Sequence, residues 1–246
     1  MVLYFKCIDR EDLKRCALLI DDGAIIIFPT DTVYGIGCDP FNESSVLNLF
    51  KIKNRPLEKH LPILTNDVSN LSNFVEIPGD AKKLIRRFWP GPLTLILQVK
   101  DDFFSPTRYA FYKTVAIRIP NNKCTLNLIQ MTKNKLLVGT SANLSKQNPF
   151  LDIKDLTKTG LKGYDAVVIK EQESDSFEDL QNNINSTTTT TTTNKNDMNA
   201  AIPNYNDHSL SVSTIVDLTN TDFLTGRPRI IREGVISKET IFLSLD

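Results

Sequence analysis

The chain has 246 residues, 41% of them apolar, which suits one large domain, or one domain plus a small appendage, with a real core. Twenty-nine basic residues balance twenty-nine acidic ones, so nothing in the bulk charge draws the protein to nucleic acid or to an anionic membrane, although a local basic pocket remains compatible with it. No apolar run is long enough to span a bilayer, and the stretch from Met1 to Arg10 lacks the pattern of a secretory signal, so a cytoplasmic location is expected.

Asp9 is placed to cap a helix bearing Leu13, Cys16, Leu19 and Ile20 on one side, with Gly23 to end it. Ala24 to Phe28, an apolar run with three isoleucines, reads as a strand buried on both faces. A second helix is expected from Asn42, carrying Val46, Leu49, Phe50 and Lys53. Leu61 to Leu64 is strand-like, and Asp80 to Phe88 is helical until Pro90 and Pro92 break it. Leu93 to Val99, Val115 to Ile119 and Leu136 to Val138 read as strands, with a helix over Leu126 to Thr132 between the last two. Helices alternating with short buried strands predict an α/β fold: an open twisted mixed sheet with helices packed around it and a concave pocket.

After Lys170 the composition changes. Glu171 to Asp179 is acidic, and Asn182 to Asn199 contains seven consecutive threonines, Thr187 to Thr193. Such sequence cannot build a packed core. A strand from Ser211 to Leu218, another over Arg229 to Arg232 and a last helix from Lys238 follow it. One domain over residues 1–246 is therefore expected, with a disordered polar insertion at about 171–209. Cys7, Cys16, Cys38 and Cys124 form no C-x-x-C pair and read as scattered reduced thiols. With only His60 and His208 beside them, no metal site is expected.

Five segments carry candidate chemistry. Phe28-Pro29-Thr30-Asp31-Thr32-Val33-Tyr34-Gly35-Ile36-Gly37 follows a buried strand, and ligands in α/β folds bind beyond strand carboxyl ends. An ordinary turn would use many of the same residues. In Lys51-Ile52-Lys53-Asn54-Arg55-Pro56, two cations close a helix, where they suit its dipole or a phosphate ligand. Trp89-Pro90-Gly91-Pro92-Leu93-Thr94 leads stiffly into a strand, with Trp89 read as core. Thr114-Val115-Ala116-Ile117-Arg118-Ile119-Pro120 places an arginine in a buried strand, where it needs an anion, either a structural carboxylate or a substrate carboxylate. Thr140-Ser141-Ala142-Asn143 again sets small polar groups at a strand end. Neither G-x-x-x-x-G-K-[ST] nor G-x-G-x-x-G is present, so any ATP site has another architecture.

These segments, followed by Ser213-Thr214-Ile215-Val216-Asp217 and Arg229-Ile230-Ile231-Arg232-Glu233-Gly234, stand in the order of the YrdC/TsaC family of threonylcarbamoyl-AMP synthases, which the chain resembles from about residue 9 to residue 242. The resemblance is to the short form, without an extra C-terminal domain. It implies a nucleotidyltransferase that makes threonylcarbamoyl-AMP and pyrophosphate from L-threonine, bicarbonate and ATP with Mg2+. A transferase partner would then modify tRNA, with direct tRNA binding by this chain also open. It implies that Lys53, Arg55, Thr114, Ser141, Asn143 and Arg232 bind ATP. Thr30, Arg118, Gly139 and Ser213 would bind threonine, Tyr34 would shape the pocket, and no side chain would act as a nucleophile. The alternative is a YrdC-like RNA-binding module without catalysis. The sequence departs from the family pattern at Leu64, where many relatives have histidine, at Lys146, where glycine is frequent, and in the threonine tract, which replaces a glycine-rich hairpin.

Overall fold

The computed structural model describes residues 2–100, 103–111, 113–173, 212–221 and 226–246. Strand β1 (Leu3–Lys6) leads to helix α1 (Arg10–Asp21), whose first amides are capped by the Asp9 carboxylate. Gly23, at φ 100°, ends that helix in a conformation that disfavours side-chain-bearing residues. Strands β2 (Ile26–Phe28) and β3 (Gly35–Gly37) form an antiparallel pair. Helix α2 (Glu43–Ile52) is capped by Asn42 and stops at Lys53. Then come β4 (Ile63–Thr65), α3 (Gly79–Phe88), β5 (Leu93–Gln98), the single turn α4 (Arg108–Phe111), β6 (Thr114–Arg118) and α5 (Lys123–Met131). Strands β7 (Leu136–Val138), β8 (Thr140–Ser141), β9 (Ala166–Ile169), β10 (Thr214–Thr221) and β11 (Pro228–Arg232) precede α6 (Lys238–Leu243).

The mixed α/β architecture agrees with the sequence reading, but the strands form two mixed sheets instead of one. The first has the order β1-β9-β2-β3-β8 and the second β11-β10-β5-β6-β4-β7. The first sheet has two parallel pairs (β1 with β9, β9 with β2) followed by two antiparallel ones, and in the second the parallel pairs (β10 with β5, β6 with β4) alternate with antiparallel ones. The chain crosses from one sheet to the other at Gly139, the single residue between β7 and β8. The crossing is tight: a Cβ on Gly37 would lie 1.5 Å from the Val138 carbonyl oxygen, and one on Gly139 would lie 2.4 Å from Leu64.

Period-two alternation explains why β2 is apolar throughout. Ile27 joins the large core shared with α2, α3 and the second sheet, while Ile26 and Phe28 face a smaller core with Leu13, Cys16 and Ile20 of α1 and Leu128 and Ile129 of α5. Strand β9 divides in the same way, Val167 and Ile169 against Ala166 and Val168. Truncating any of these large residues to alanine would cost about 2–5 kcal/mol.

One expectation needs correction. Cys7 and Cys124 are not separate thiols: they form a disulfide across 117 residues of sequence, with Cα atoms 5.2 Å apart, tying the turn after β1 to the first turn of α5. Only Cys16 and Cys38 are free, and both are buried. Burial, with Asp12 nearby, pushes the Cys16 thiol up to about 12; Cys38 is raised in the same way, with Asp39 adding to its burial. At the near edge of the expected polar insertion, Glu171–Glu173 form a short 3-10 turn. The remainder of that expectation, including the threonine tract, lies outside the described residues.

Candidate ligand-binding site

A cavity of about 190 Å3 opens where the two sheets meet. Its wall combines the β2–β3 loop, the end of β6, the start of β5, the β7–β8 crossing and the residues leading into β10. Pairing β6 with β4 and β5 brings Arg118 to the edge of this space, 7% exposed. A buried guanidinium must be matched by acceptors. Here Nε donates to the Gly91 carbonyl at 2.9 Å, one terminal nitrogen to Thr32 Oγ1 at 2.9 Å, and the other to Asp31 Oδ1 at 2.6 Å. These three bonds leave two of the five guanidinium N–H groups for a ligand. Burial lowers its pKa and the Asp31 carboxylate opposes that shift.

The loop beneath it is wired in one direction. Thr30 donates its hydroxyl proton to the Val33 carbonyl at 2.6 Å, so the 3.0 Å contact with Thr32 runs from the Thr32 hydroxyl to Thr30 Oγ1. Arg118 therefore orients Thr32, and Thr32 orients Thr30. The Thr32 amide also donates to Thr30 Oγ1 at 3.1 Å. Thr125 of α5 donates its hydroxyl to the Pro29 carbonyl and so fixes the start of the same loop.

Tyr34 forms part of the wall but points its hydroxyl away, donating to Glu173. Its ring stacks on Phe150 at 5.2 Å, and the Lys170 ammonium sits 4.7 Å from the ring centre while pairing with Glu173 at 3.6 Å. Burial, followed by the Glu173 contact, raises the Tyr34 pKa well above the usual phenol value.

At the mouth the cations are held differently. Arg232 donates Nε and a terminal nitrogen to the Ser213 carbonyl at 3.1 and 2.8 Å and reaches Ser213 Oγ at 3.2 Å. Ser213 Oγ lies 2.9 Å from Thr94 Oγ1. Arg55 donates to the carbonyls of Lys59 and His60 at 2.8 and 2.7 Å. Both pKa values are lowered by burial of the guanidinium, that of Arg232 further by the nearby charge of Arg118. Three arginines thus line the cavity, and among the described residues only Arg118 has a carboxylate partner.

Of the residues expected at a site, Thr30, Tyr34, Arg55, Arg118, Gly139, Ser141, Ser213 and Arg232 all line this cavity. Thr114, Lys53 and Asn143 do not. Thr114 begins β6, opposite Gln98, while Arg118 ends it, so the strand carries Thr114 roughly 13 Å away at about 3.3 Å per residue. Lys53 is only 2% exposed and its ammonium is bound to the carbonyls of Ser141 and Asn143, the latter at 2.8 Å. Burial, then the Arg55 charge, lowers its pKa to about 7. Asn143 turns its amide nitrogen onto the carbonyls of Leu144 and Gln147 at 2.9 and 2.6 Å, leaving a buried Oδ1 with no protein partner.

Sequence reasoning missed Asp31 and Thr32 as partners of Arg118, Thr94 as the support of Ser213, and Glu173 as the anchor of Tyr34. Asp31 had a usable signal: it is the carboxylate within the motif that follows β2. Glu173 had none, being 139 residues from Tyr34. Leu64 lines the wall beside Gly139 and makes it apolar at that point. Among the described residues no group of three or more His, Cys, Asp or Glu side chains is gathered for a metal ion, and no helix is long and apolar enough to cross a membrane.

Fold and site define a two-sheet α/β domain with an arginine-lined cleft suited to small anionic ligands. Residues 18–181 match the family described as telomere recombination, comprising the Sua5, YciO and YrdC proteins. A protein of Bacillus subtilis named threonylcarbamoyl-AMP synthase is 39% identical over 134 residues, 54% of this chain and 38% of the relative. One of the same name from Pseudoalteromonas translucida is 34% identical over 151 residues, 60% of this chain and 79% of the relative. The fold resembles P. abyssi Sua5 complexed with L-threonine, with a TM-score of 0.73 at 24% identity over 99% of this chain and 60% of that one. It also resembles E. coli YciO, with a TM-score of 0.67 at 19% identity over 96% and 97%. The chain belongs to the Sua5/YciO/YrdC family, and it spans well under half the length of the Bacillus subtilis relative.

Proposed function

We propose that this chain is an L-threonylcarbamoyladenylate synthase, condensing L-threonine, bicarbonate and ATP into threonylcarbamoyl-AMP with release of pyrophosphate. The observation that carries the reading is the convergence of Arg118, Arg55 and Arg232 on one cavity with a single carboxylate among them. Two uncompensated cations call for an anionic ligand, and ATP is one. Threonine is assigned to the deep end. Its carboxylate takes the remaining N–H groups of Arg118, near Thr30, the Gly139 backbone and Ser213. The nucleotide is assigned to the mouth, with its phosphates on Arg55 and Arg232 and with Ser141 alongside.

In this arrangement the threonine amine adds to the carbon of bicarbonate-derived carbon dioxide and loses a proton to give a carbamate. A carbamate oxygen then attacks the α-phosphorus of ATP, and the bond to the bridging oxygen breaks as pyrophosphate leaves. No protein nucleophile is required. The protein contributes by holding the reactants together and by setting Arg55 and Arg232 against the charge of the leaving group. Magnesium would enter with the substrate as MgATP, since the lining residues include no carboxylate cluster to hold it. The adenylate would pass to a transferase acting on tRNA, which favours a cytoplasmic location. Pyrophosphate release assayed with and without L-threonine tests the reading: strict dependence on threonine supports it, and release that ignores threonine refutes it.

A further inference from the structure

The Lys53 side chain spans from the C-terminus of α2 to the segment after β8. Its ammonium is bound to the Ser141 and Asn143 carbonyls, while its own carbonyl accepts the Ser145 amide at 2.9 Å. One residue thus holds three points of the 141–145 segment. The Ala142 amide, bonded to the Tyr34 carbonyl at 2.8 Å, and the β8 pairing to β3 also secure that segment. Ser141 lines the cavity while Lys53 does not. The ammonium thus fixes the carbonyl of a residue that itself lines the cavity. Lys53 is 2% exposed and does not line the cavity, and two of its three ammonium N–H groups are engaged by these carbonyls, so its charge is committed to the 141–145 segment.

We infer that Lys53 is a positioning residue: its buried ammonium organises the Ser141–Ser145 segment that forms the nucleotide side of the cavity, and it does not itself touch the phosphates. The inference rests on the proposed binding of ATP in this cavity and refines it, because phosphate contact falls to Arg55 and Arg232 alone. The depressed Lys53 pKa, about 7, agrees with an ammonium sealed from solvent.

Two measurements on Lys53→Met test it. In titrations with ATP and with AMP, a positioning role weakens both ligands by the same factor, roughly 10–100-fold for loss of a charge-assisted contact. Weakening of ATP with AMP unchanged would make Lys53 a contact of the outer phosphates and overturn the inference. Unchanged binding of both would overturn it as well. Hydrogen–deuterium exchange on the ligand-free protein gives the second readout, and faster exchange at the Ala142 and Ser145 amides is expected. Unchanged exchange would overturn the inference whether or not nucleotide binds. Ethylammonium added to Lys53→Ala should restore AMP binding in part, which a purely space-filling role would not allow. If Lys53→Met does not fold, Lys53→Gln serves in both measurements with the same expectations. Failure of the wild-type protein to bind ATP would refute the functional proposal instead, and the exchange result would still decide the role of Lys53.

Discussion

The two ends of the cavity hold their arginines in opposite ways. At the deep end Arg118 is buried, paired with Asp31, and part of a chain of donors running through Thr32 to Thr30 and Val33. At the mouth Arg55 rests on backbone carbonyls and Arg232 on the Ser213 carbonyl and hydroxyl, and neither has a carboxylate within ion-pair distance among the described residues. A neutralised cation in a rigid network fixes geometry, which suits recognition of a small substrate by shape. Cations held only by neutral acceptors keep their charge available, which suits a polyanion that arrives with its own countercharge. The deep end should therefore couple binding to folding, and the mouth should not.

The strongest break of that contrast is Arg118→Ala. It leaves the partly exposed Asp31 carboxylate without its partner, so stability should fall in urea unfolding, by less than the roughly 3–5 kcal/mol of a fully buried pair. Arg118→Lys keeps the charge but loses the planar fork, and should raise the threonine requirement in steady-state kinetics while the protein stays folded. Unchanged threonine dependence would make Arg118 the structural partner of Asp31 only.

The deep end is also braced from outside. The Cys7–Cys124 bridge fixes the first turn of α5, and Thr125 in that turn holds the Pro29 carbonyl. Opening the bridge with a dithiol, or by Cys124→Ser, should lower stability by about 2–4 kcal/mol in thermal or denaturant unfolding. Equal stability with and without reductant would contradict the brace. The mouth gives the opposite signature. Arg55→Ala and Arg232→Ala should each weaken ATP binding roughly 10–100-fold, read by calorimetric titration, with the melting temperature nearly unchanged.

The smallest effect is expected from the polar insertion. Glu173 on its near side anchors Tyr34, and Val212 and Ser213 on its far side line the cavity. Replacing residues 182–199 with a short Gly/Ser linker should change stability by about 1 kcal/mol or less, because loop-closure entropy varies slowly with length. A large loss of turnover at unchanged stability would instead give that segment a part in catalysis.

Helices were the most legible part of the fold. Asp9, Asn42 and the prolines after Phe88 mark ends that agree with α1, α2 and α3 to within a residue or two. Short strands made only by distant partners escaped: β1 exists because β9, more than 150 residues away, pairs with it, and β3 and β8 are two or three residues long. The division into two sheets depends on the turn at Gly139, whose close packing against Leu64 leaves no periodic trace in sequence. At the site, motif residues at strand ends were found because strand ends converge on the cavity. Thr114 lies outside this cavity, and a motif does not say which end of its strand faces it. Lys53 belonged to the right segment, but burial decided its direction. Nothing local in sequence distinguishes an ammonium on two carbonyls from one facing phosphate.

Under the proposed function, this one cavity joins threonine to AMP through a carbon taken from bicarbonate. The most direct measurement is mass detection of the adenylate after incubation with ATP, magnesium, L-threonine and carbon-13 bicarbonate. The account predicts a threonylcarbamoyl-AMP that carries the label, forms in step with pyrophosphate, and disappears when L-threonine is omitted. Pyrophosphate released without a labelled adenylate would contradict it.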